Sequence, residues 1–264
     1  MPEVFYDILK GDAKIEDDDS YGSQAAFYDA LNERTDNYDL QREIVEEYIP
    51  EGSRVLYVGN GSGNLTERID GDYEVVGLDM SNEMLSISRE KTGAEHVQGD
   101  MRELPIQDGS FDAAIMLGRS MTYLHEDEEV ESMMSEVNRA LKDGGVFLFD
   151  NFREDTGDPE KGRLGREGQY HFGRVMVEME DEVSDYDPED HTWTWNVEYS
   201  VFDRGIEEEV TFTDTQRHRG FTPEEVRQRL AENGFQDIEM EGRHAERKEV
   251  EENDNELITK AVVE

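Results

Sequence analysis

The chain has 264 residues with 67 acidic against 26 basic side chains, a formal charge of −41, and only 35% hydrophobic residues. It has no cysteine, which excludes disulfides and thiolate metal sites, and it shows no basic patch, which argues against sequence-independent nucleic-acid binding. No apolar run approaches the roughly 18 residues of a spanning helix, and no basic-then-apolar leader opens the sequence, so neither a membrane span nor a signal peptide is expected.

Low hydrophobicity at high charge is a signature of disorder. Here, however, the apolar residues fall in strand and helix periods, which predicts a folded chain. Residues 1–50 read as a polar, helical segment with amphipathic stretches at Ser23–Leu31 and Leu40–Tyr48, ended by Pro50-Glu51-Gly52. An alternation follows. Arg54–Gly59 reads as a strand, Leu65–Ile69 as a short helix and Glu74–Asp79 as a second strand. Ser81 caps a helix that runs to about Lys91, ahead of strands at Ala94–Gln98 and Phe111–Leu117. Asp127–Leu141 reads as a helix closed by "KDGG", and Val146–Asn151 as a fifth strand. Strand–helix alternation with short, continuous apolar runs predicts a parallel sheet covered on both faces.

The pattern changes after residue 152. Gly157–Gly168 reads as a loop, and three strand-like runs follow: "RVMVEMEDEV", "WTWNVEYSVF" and "EEEVTFTDTQRH". In the second, Trp193, Trp195, Val197, Tyr199 and Val201 alternate with polar residues, as in a half-buried antiparallel strand. Helical pattern returns at "FTPEEVRQRLAENGF", with Thr222 as N-cap, Pro223 next and Gly234 as the stop. "FQDIEM" and "ELITKAVV" read as closing strands. The expected organisation is a helical lid at 1–50, an α/β domain at 51–152 and 221–264, and an antiparallel cap at 153–220.

Open α/β sheets bind ligands outside the carboxyl ends of their strands. Four such ends carry chemistry. They are the loop with Gly59, Asn60, Gly61 and Gly63; Asp79-Met80; Asp100-Met101 after Gly99; and "LGRSMTYLH" from Leu117 and Gly118. Each has a plain structural alternative: glycines as turns, Asp79 as a helix cap, Asp100 as a turn residue, and Met80 and Met101 as core filler. Their coincidence at one edge favours a ligand. Neither glycine register matches the dinucleotide fingerprint, while an acid about 20 residues after the first glycine suits a ribose.

The runs "VLYVGNGSGN", "VVGLDMSNEML", "VQGDMRELPIQDGSFDAAIML" and "VNRALKDGGVFLFDNF" resemble the successive motifs of class I S-adenosylmethionine-dependent methyltransferases. The resemblance covers about residues 53–152 and implies a Rossmann-like, doubly wound α/β fold. That fold has a seven-stranded mixed sheet, with an antiparallel β insertion after the fifth strand. The implied cofactor is S-adenosyl-L-methionine, leaving S-adenosyl-L-homocysteine. Gly59, Gly61 and Gly63 would let backbone pass close to its methionine part, Asp79 would hold the ribose, Met80 and Met101 would sandwich adenine, and Asp100 would receive its amino group. Leu117 and Gly118 would border the sulfonium. Asn60 stands where the family commonly has Cys or Ala. Tyr57 replaces the family's usual acid, one that often orients the methionine amino group.

In that chemistry the methyl group moves by in-line displacement to an acceptor nitrogen or oxygen, and a base removes a proton. Tyr123 and His125 lie near the fourth strand end. "VFYDILKG … SYGSQAAFYDAL … GRSMTYL" is similar to N-methyltransferases of amino sugars and other small amines, which implies Tyr6 near the reacting centre and Tyr21 at the cofactor carboxylate. His171 and His218 are further candidates for the insertion's pocket. No histidine–carboxylate spacing suggests a metal. The expected partner is a small-molecule acceptor, with a homodimer open. An RNA methyltransferase and a non-catalytic cofactor-binding protein are the alternatives, the latter suggested by Tyr57. The acidic charge further suggests a salt-adapted, cytoplasmic protein, because the Debye length falls to about 3 Å in molar salt.

Overall fold

The computed structural model describes residues 4–11, 14–162, 164, 167–205, 208–242 and 254–264; the side chains of Tyr6, Glu167 and Glu208 lie outside that description. Helices Val4–Lys10 (α1), Ala25–Thr35 (α2) and Tyr38–Tyr48 (α3) lead in. The alternating part comprises Arg54–Val58 (β1), Asn64–Ile69 (α4), Glu74–Asp79 (β2), Asn82–Lys91 (α5), Glu95–Gln98 (β3), Phe111–Met116 (β4), Asp127–Ala140 (α6) and Leu141–Phe152 (β5). Strands Glu167–Phe172 (β6), Val175–Asp187 (β7), Thr192–Asp203 (β8) and Glu208–Arg219 (β9) precede Pro223–Glu232 (α7), Phe235–Gly242 (β10) and Glu256–Val263 (β11).

Strands β1 to β5 pair in parallel, and β11 runs antiparallel between β5 and β10. The order across this seven-stranded sheet is β10-β11-β5-β4-β1-β2-β3. The chain moves outward from β1 to β3, then returns to β4 on the other flank of β1. That reversal opens a crevice at the carboxyl ends of β1 and β4.

Successive residues of β1 point to opposite faces. Leu56 and Val58 pack with Met133, Met134 and Val137 of α6 and with Val226 and Leu230 of α7. Val55 and Tyr57 pack on the other face with Ile44 and Val45 of α3 and Leu65 and Ile69 of α4. Helices thus cover both faces, which is why these strands read as unbroken apolar runs. Arg229 locks α7 to α6 through Asp127 and Glu131.

The second sheet is an antiparallel meander in the order β6-β7-β8-β9. Phe5, Ile8 and Leu9 of α1 and Phe27 and Leu31 of α2 pack with Val177, Tyr199, Val201 and Phe212. The first 50 residues therefore divide: α1 and α2 share a core with the small sheet, and α3 with the large one.

The N-caps Ser81 and Thr222 accept from Met84 N and Glu225 N, each at 3.0 Å. Two local expectations are corrected. "KDGG" does not close α6; the helix ends at Ala140 with Leu141 already extended. Those residues lie at the start of β5, where the register against β4 jumps from Phe111↔Leu141 to Ala113↔Val146 and Gly144 has φ 74°. The stretch read as a loop to Gly168 gives way at Glu167 to β6, a fourth strand of the small sheet.

Candidate active site

A cavity of about 570 Å³ lies at the carboxyl ends of the central strands. Tyr21, Gly59, Asn60, Gly61, Asp79, Met80, Asp100, Met101, Leu117, Gly118 and Tyr123 all line it, so the four turns face one slot. Its volume falls in the range of small-molecule sites. Gly63 stands behind the slot as the N-cap of α4. Tyr6 lies on α1, and its side chain is outside the described residues.

The glycine loop is shaped by backbone. Gly59, Gly61 and Gly63 have φ of 72°, 56° and 80°, the left-handed region that a side chain resists. A Cβ on Gly59 would sit 2.3 Å from Ser120 Oγ, whereas nothing lies within 4 Å of one on Gly61. The Asn60 side chain turns inward to brace the loop: Nδ2 donates to Ser88 Oγ at 3.0 Å, and Oδ1 accepts from Thr66 Oγ1 at 2.5 Å. Both Gly59→Ala and Gly61→Ala carry a backbone cost of roughly 1–2 kcal/mol, but only the first also collides with a neighbour. The urea midpoint is expected to fall further for Gly59→Ala than for Gly61→Ala. Equal losses would mean that Ser120 does not set the requirement at Gly59.

Asp79 ends β2 with each carboxylate oxygen aimed at backbone. Oδ2 accepts from Gly61 N at 2.7 Å and Oδ1 from Ser81 N at 2.9 Å. Burial pushes its carboxyl above the usual range, and those N–H groups oppose the shift. A carboxylate has about four acceptor positions, and the backbone N–H groups of Gly61, Met80 and Ser81 do not fill them all. Asp100 is differently placed. Arg102 donates to both of its oxygens, Nε to Oδ1 at 3.0 Å and Nη2 to Oδ2 at 2.6 Å, which holds its carboxyl below the usual range. Met80 is exposed and Met101 half-buried. Tyr57 is buried, and its hydroxyl donates to Leu117 O at 2.8 Å, tying the ends of β1 and β4 together. Asp150 Oδ1 fixes the next turn, accepting from Gly118 N at 2.9 Å and Arg119 N at 2.6 Å.

Tyr21 and Tyr123 meet hydroxyl to hydroxyl, and Ser81 Oγ donates to Tyr21 O, so Tyr21 bridges the β2 and β4 sides of the slot. Burial raises both phenols far above their ordinary value. From Tyr123 the hydrogen bonds continue. Its hydroxyl donates to Gln216 Oε1 at 2.6 Å, and Gln216 Nε2 donates to Asp214 Oδ2 at 2.6 Å. Asp214 is buried, and burial raises its carboxyl above the usual range.

Asp214 belongs to a second, smaller cavity of about 80 Å³ whose walls include Tyr170, Met179, Trp195, Tyr199 and Gln216. Tyr28, Asn32, Asp36 and Arg119 line both cavities, so the two adjoin. Arg119 sits between Glu256 Oε1 at 3.1 Å and Asp36 Oδ1 at 3.5 Å. Burial works against its charge, yet those carboxylates hold it above the ordinary value. Trp195 and Tyr199 belong to the stripe that the sequence offers as core or, if exposed, as a dimer face or substrate wall; Asp214 and Gln216 were not candidates from sequence. Their placement follows the strand period: Val210, Phe212, Asp214, Gln216 and His218 share one face of β9, two apolar residues followed by three polar ones.

The other candidates lie elsewhere. His125 lines neither cavity; its Nε2 pairs with Arg217 O at 2.9 Å ahead of α6. His171 is exposed on β6. Trp193 is core, while Trp195 and Tyr199 of the same stripe wall the second cavity. His218 is buried among the rings of Tyr123, Phe152, Trp193 and Trp195. Thr122 Oγ1 gives its proton to Arg119 O, so His218 Nδ1 donates to that hydroxyl at 3.0 Å and Nε2 carries the lone pair. Burial pulls its pKa down to about 3. Between that value and about 6.5 the unfolded chain binds a proton that the folded one refuses, so stability falls as pH drops through this window. The urea midpoint is expected to fall from pH 7 to pH 5 more steeply for the wild type than for His218→Gln. Parallel profiles would contradict it.

Residues 55–145 match the family model described as "Methyltransferase domain". "Putative methyltransferase YqeM" of Bacillus subtilis (strain 168) is 30% identical over 224 residues, covering 82% of this chain and 86% of that protein. Among solved structures, an S-adenosylmethionine-dependent methyltransferase from Clostridium acetobutylicum ATCC 824 superposes with a TM-score of 0.70 at 20% identity, covering 93% of this chain and 99% of its own. CalS10, an amino pentose methyltransferase from Micromonospora echinaspora, gives 0.72 at 18% identity, covering 90% and 96%. The glycine cradle, the carboxylate at the end of β2, the fold and a relative spanning most of both chains agree: this chain belongs to the S-adenosylmethionine-dependent methyltransferases.

Proposed function

We propose that the chain methylates a nitrogen of a small molecule whose reacting end enters the second cavity. The observation that carries this reading is that cavity itself, which adjoins the cofactor slot and is walled by aromatic rings and by the carboxylates of Asp36 and Asp214. Aromatic faces and acids together attract a cationic or cation-forming group. CalS10, whose name specifies an amino pentose, supports the same class.

The slot fits S-adenosylmethionine. The open face of Gly61 admits close approach to backbone, and Asp79 keeps acceptor positions for the ribose hydroxyls. Met80 and Met101 offer apolar, adaptable surface to a flat base. When bound, the cofactor supplies a methyl group already activated on a sulfonium. The chain's own residues then orient the acceptor and handle its proton. Tyr28 and Arg119 form the border between the cavities. Asp214, kept above the usual carboxylate range by burial, takes the proton from the acceptor nitrogen. Gln216 holds that carboxylate, and Tyr123 holds Gln216. Tyr123 thereby acts as a positioning residue, since its raised phenol stays protonated.

Against RNA as acceptor, many of the basic side chains are already paired with carboxylates, among them Arg42, Arg54, Arg68, Arg139, Lys142 and Arg229. Methyl-labelled S-adenosylmethionine offered with small amines, the matching alcohols and RNA tests the reading. Label in amines is expected. Label only in alcohols or in RNA would replace it, and no label in any would favour a protein that binds the cofactor without turning it over.

A further inference from the structure

Gln41 is a polar residue on the wrong face of its helix. On α3 it shares the inward side with Ile44 and Val45, at the i, i+3, i+4 spacing of a buried stripe. It is 2% exposed, and its Oε1 is without a hydrogen-bond partner. A buried amide oxygen left unpaired carries the full cost of its lost hydration. A leucine there would avoid that cost. Gln41 also lines the cofactor slot, beside Asp36 and Tyr38.

The slot's other carboxylates are committed elsewhere. Asp79 accepts from Gly61 and Ser81 at the end of β2, and Asp100 from Arg102 after β3. At the α3 end, β1 contributes Tyr57, a neutral group whose hydroxyl goes to Leu117 O. A bound S-adenosylmethionine must nevertheless place an ammonium and a carboxylate somewhere. A charge-bearing amino acid in a buried slot needs hydrogen-bond partners for both.

The geometry points to Gln41 as the residue that receives the amino-acid end of the cofactor. Its Oε1 accepts from the α-ammonium; Asp36, the carboxylate beside it, is itself paired with Arg119 at 3.5 Å. The orphaned oxygen gains its donor only when ligand is present, so the amide costs stability in the free protein and returns it on binding. The assignment concerns the cofactor alone and stands whichever acceptor is methylated.

The test is calorimetric titration of wild type, Gln41→Leu and Gln41→Met with two ligands. S-adenosylhomocysteine keeps the amino acid; 5′-methylthioadenosine retains adenine, ribose and sulfur without it. A hydrogen bond to a charged group is worth about 1.5–3 kcal/mol, or roughly ten- to a hundredfold in affinity. Both variants are expected to lose about that factor for S-adenosylhomocysteine, to bind methylthioadenosine like wild type, and to melt no lower than wild type without ligand. Unchanged S-adenosylhomocysteine affinity, or an equal loss for both ligands, would overturn the assignment. Failure of wild type to bind either ligand would instead count against the cofactor reading itself.

Discussion

Asp79→Asn is expected to weaken S-adenosylhomocysteine binding by about a hundredfold or more, with the protein still folded. Two ribose hydroxyls donating to a carboxylate make charge-assisted bonds of about 1.5–3 kcal/mol each. The amide keeps the size of the side chain and loses the charge. It also turns an NH2 toward one of two backbone donors, Gly61 N or Ser81 N, which the carboxylate had satisfied at 2.7 and 2.9 Å. The loop and the ligand contact therefore fail together. Calorimetry reads the loss directly. Thermal shift reads it as a melting temperature that no longer rises with ligand, because stabilisation by binding follows the ratio of ligand concentration to Kd. Undiminished affinity would remove the ribose from this carboxylate.

Asp214→Asn separates chemistry from cofactor binding. A positioned base contributes about 100- to 10,000-fold in rate, so kcat is expected to fall by that order while affinity for S-adenosylhomocysteine holds. The carboxyl lies on β9 facing the second cavity, away from the glycine loop. The pH dependence has a defined sign. Only the ionised carboxylate takes a proton, and burial raises its pKa, so kcat/KM should rise with pH through a limb above the ordinary carboxylate range. The Asn variant should lack that limb. Retained kcat, or a limb that survives the substitution, would move the base elsewhere.

Much of this was legible in the sequence because buried parallel strands write themselves plainly. "VLYVG", "VVGLD" and "AAIML" are continuous apolar runs ended by glycine or acid, and the ends of those runs form the slot. Strand β6 was not legible, since "EGQYHF" contains Gly168 and owes its extension to pairing with β7, Phe172 opposite Val175. Asp214 and Gln41 were missed for other reasons. Gln41 breaks an apolar period, and a period is recognised by the residues that keep it, while Asp214 shares its face with Gln216 and His218 and reads as one more polar strand residue. The link from Tyr123 to Gln216 spans 93 positions and leaves no local trace. The roles of Tyr123 and His125 were inferred from nearness in sequence to a strand end. The structure instead engages the first with Tyr21 and Gln216 and turns the second toward Arg217.

Tyr21 holds Ser81 by its carbonyl and Tyr123 by its hydroxyl, one contact on each bank of the slot. The two sides of the slot are thus joined by a residue 102 positions from one partner and 60 from the other. The shape of the slot is therefore set in part from outside the sheet whose strand ends form it.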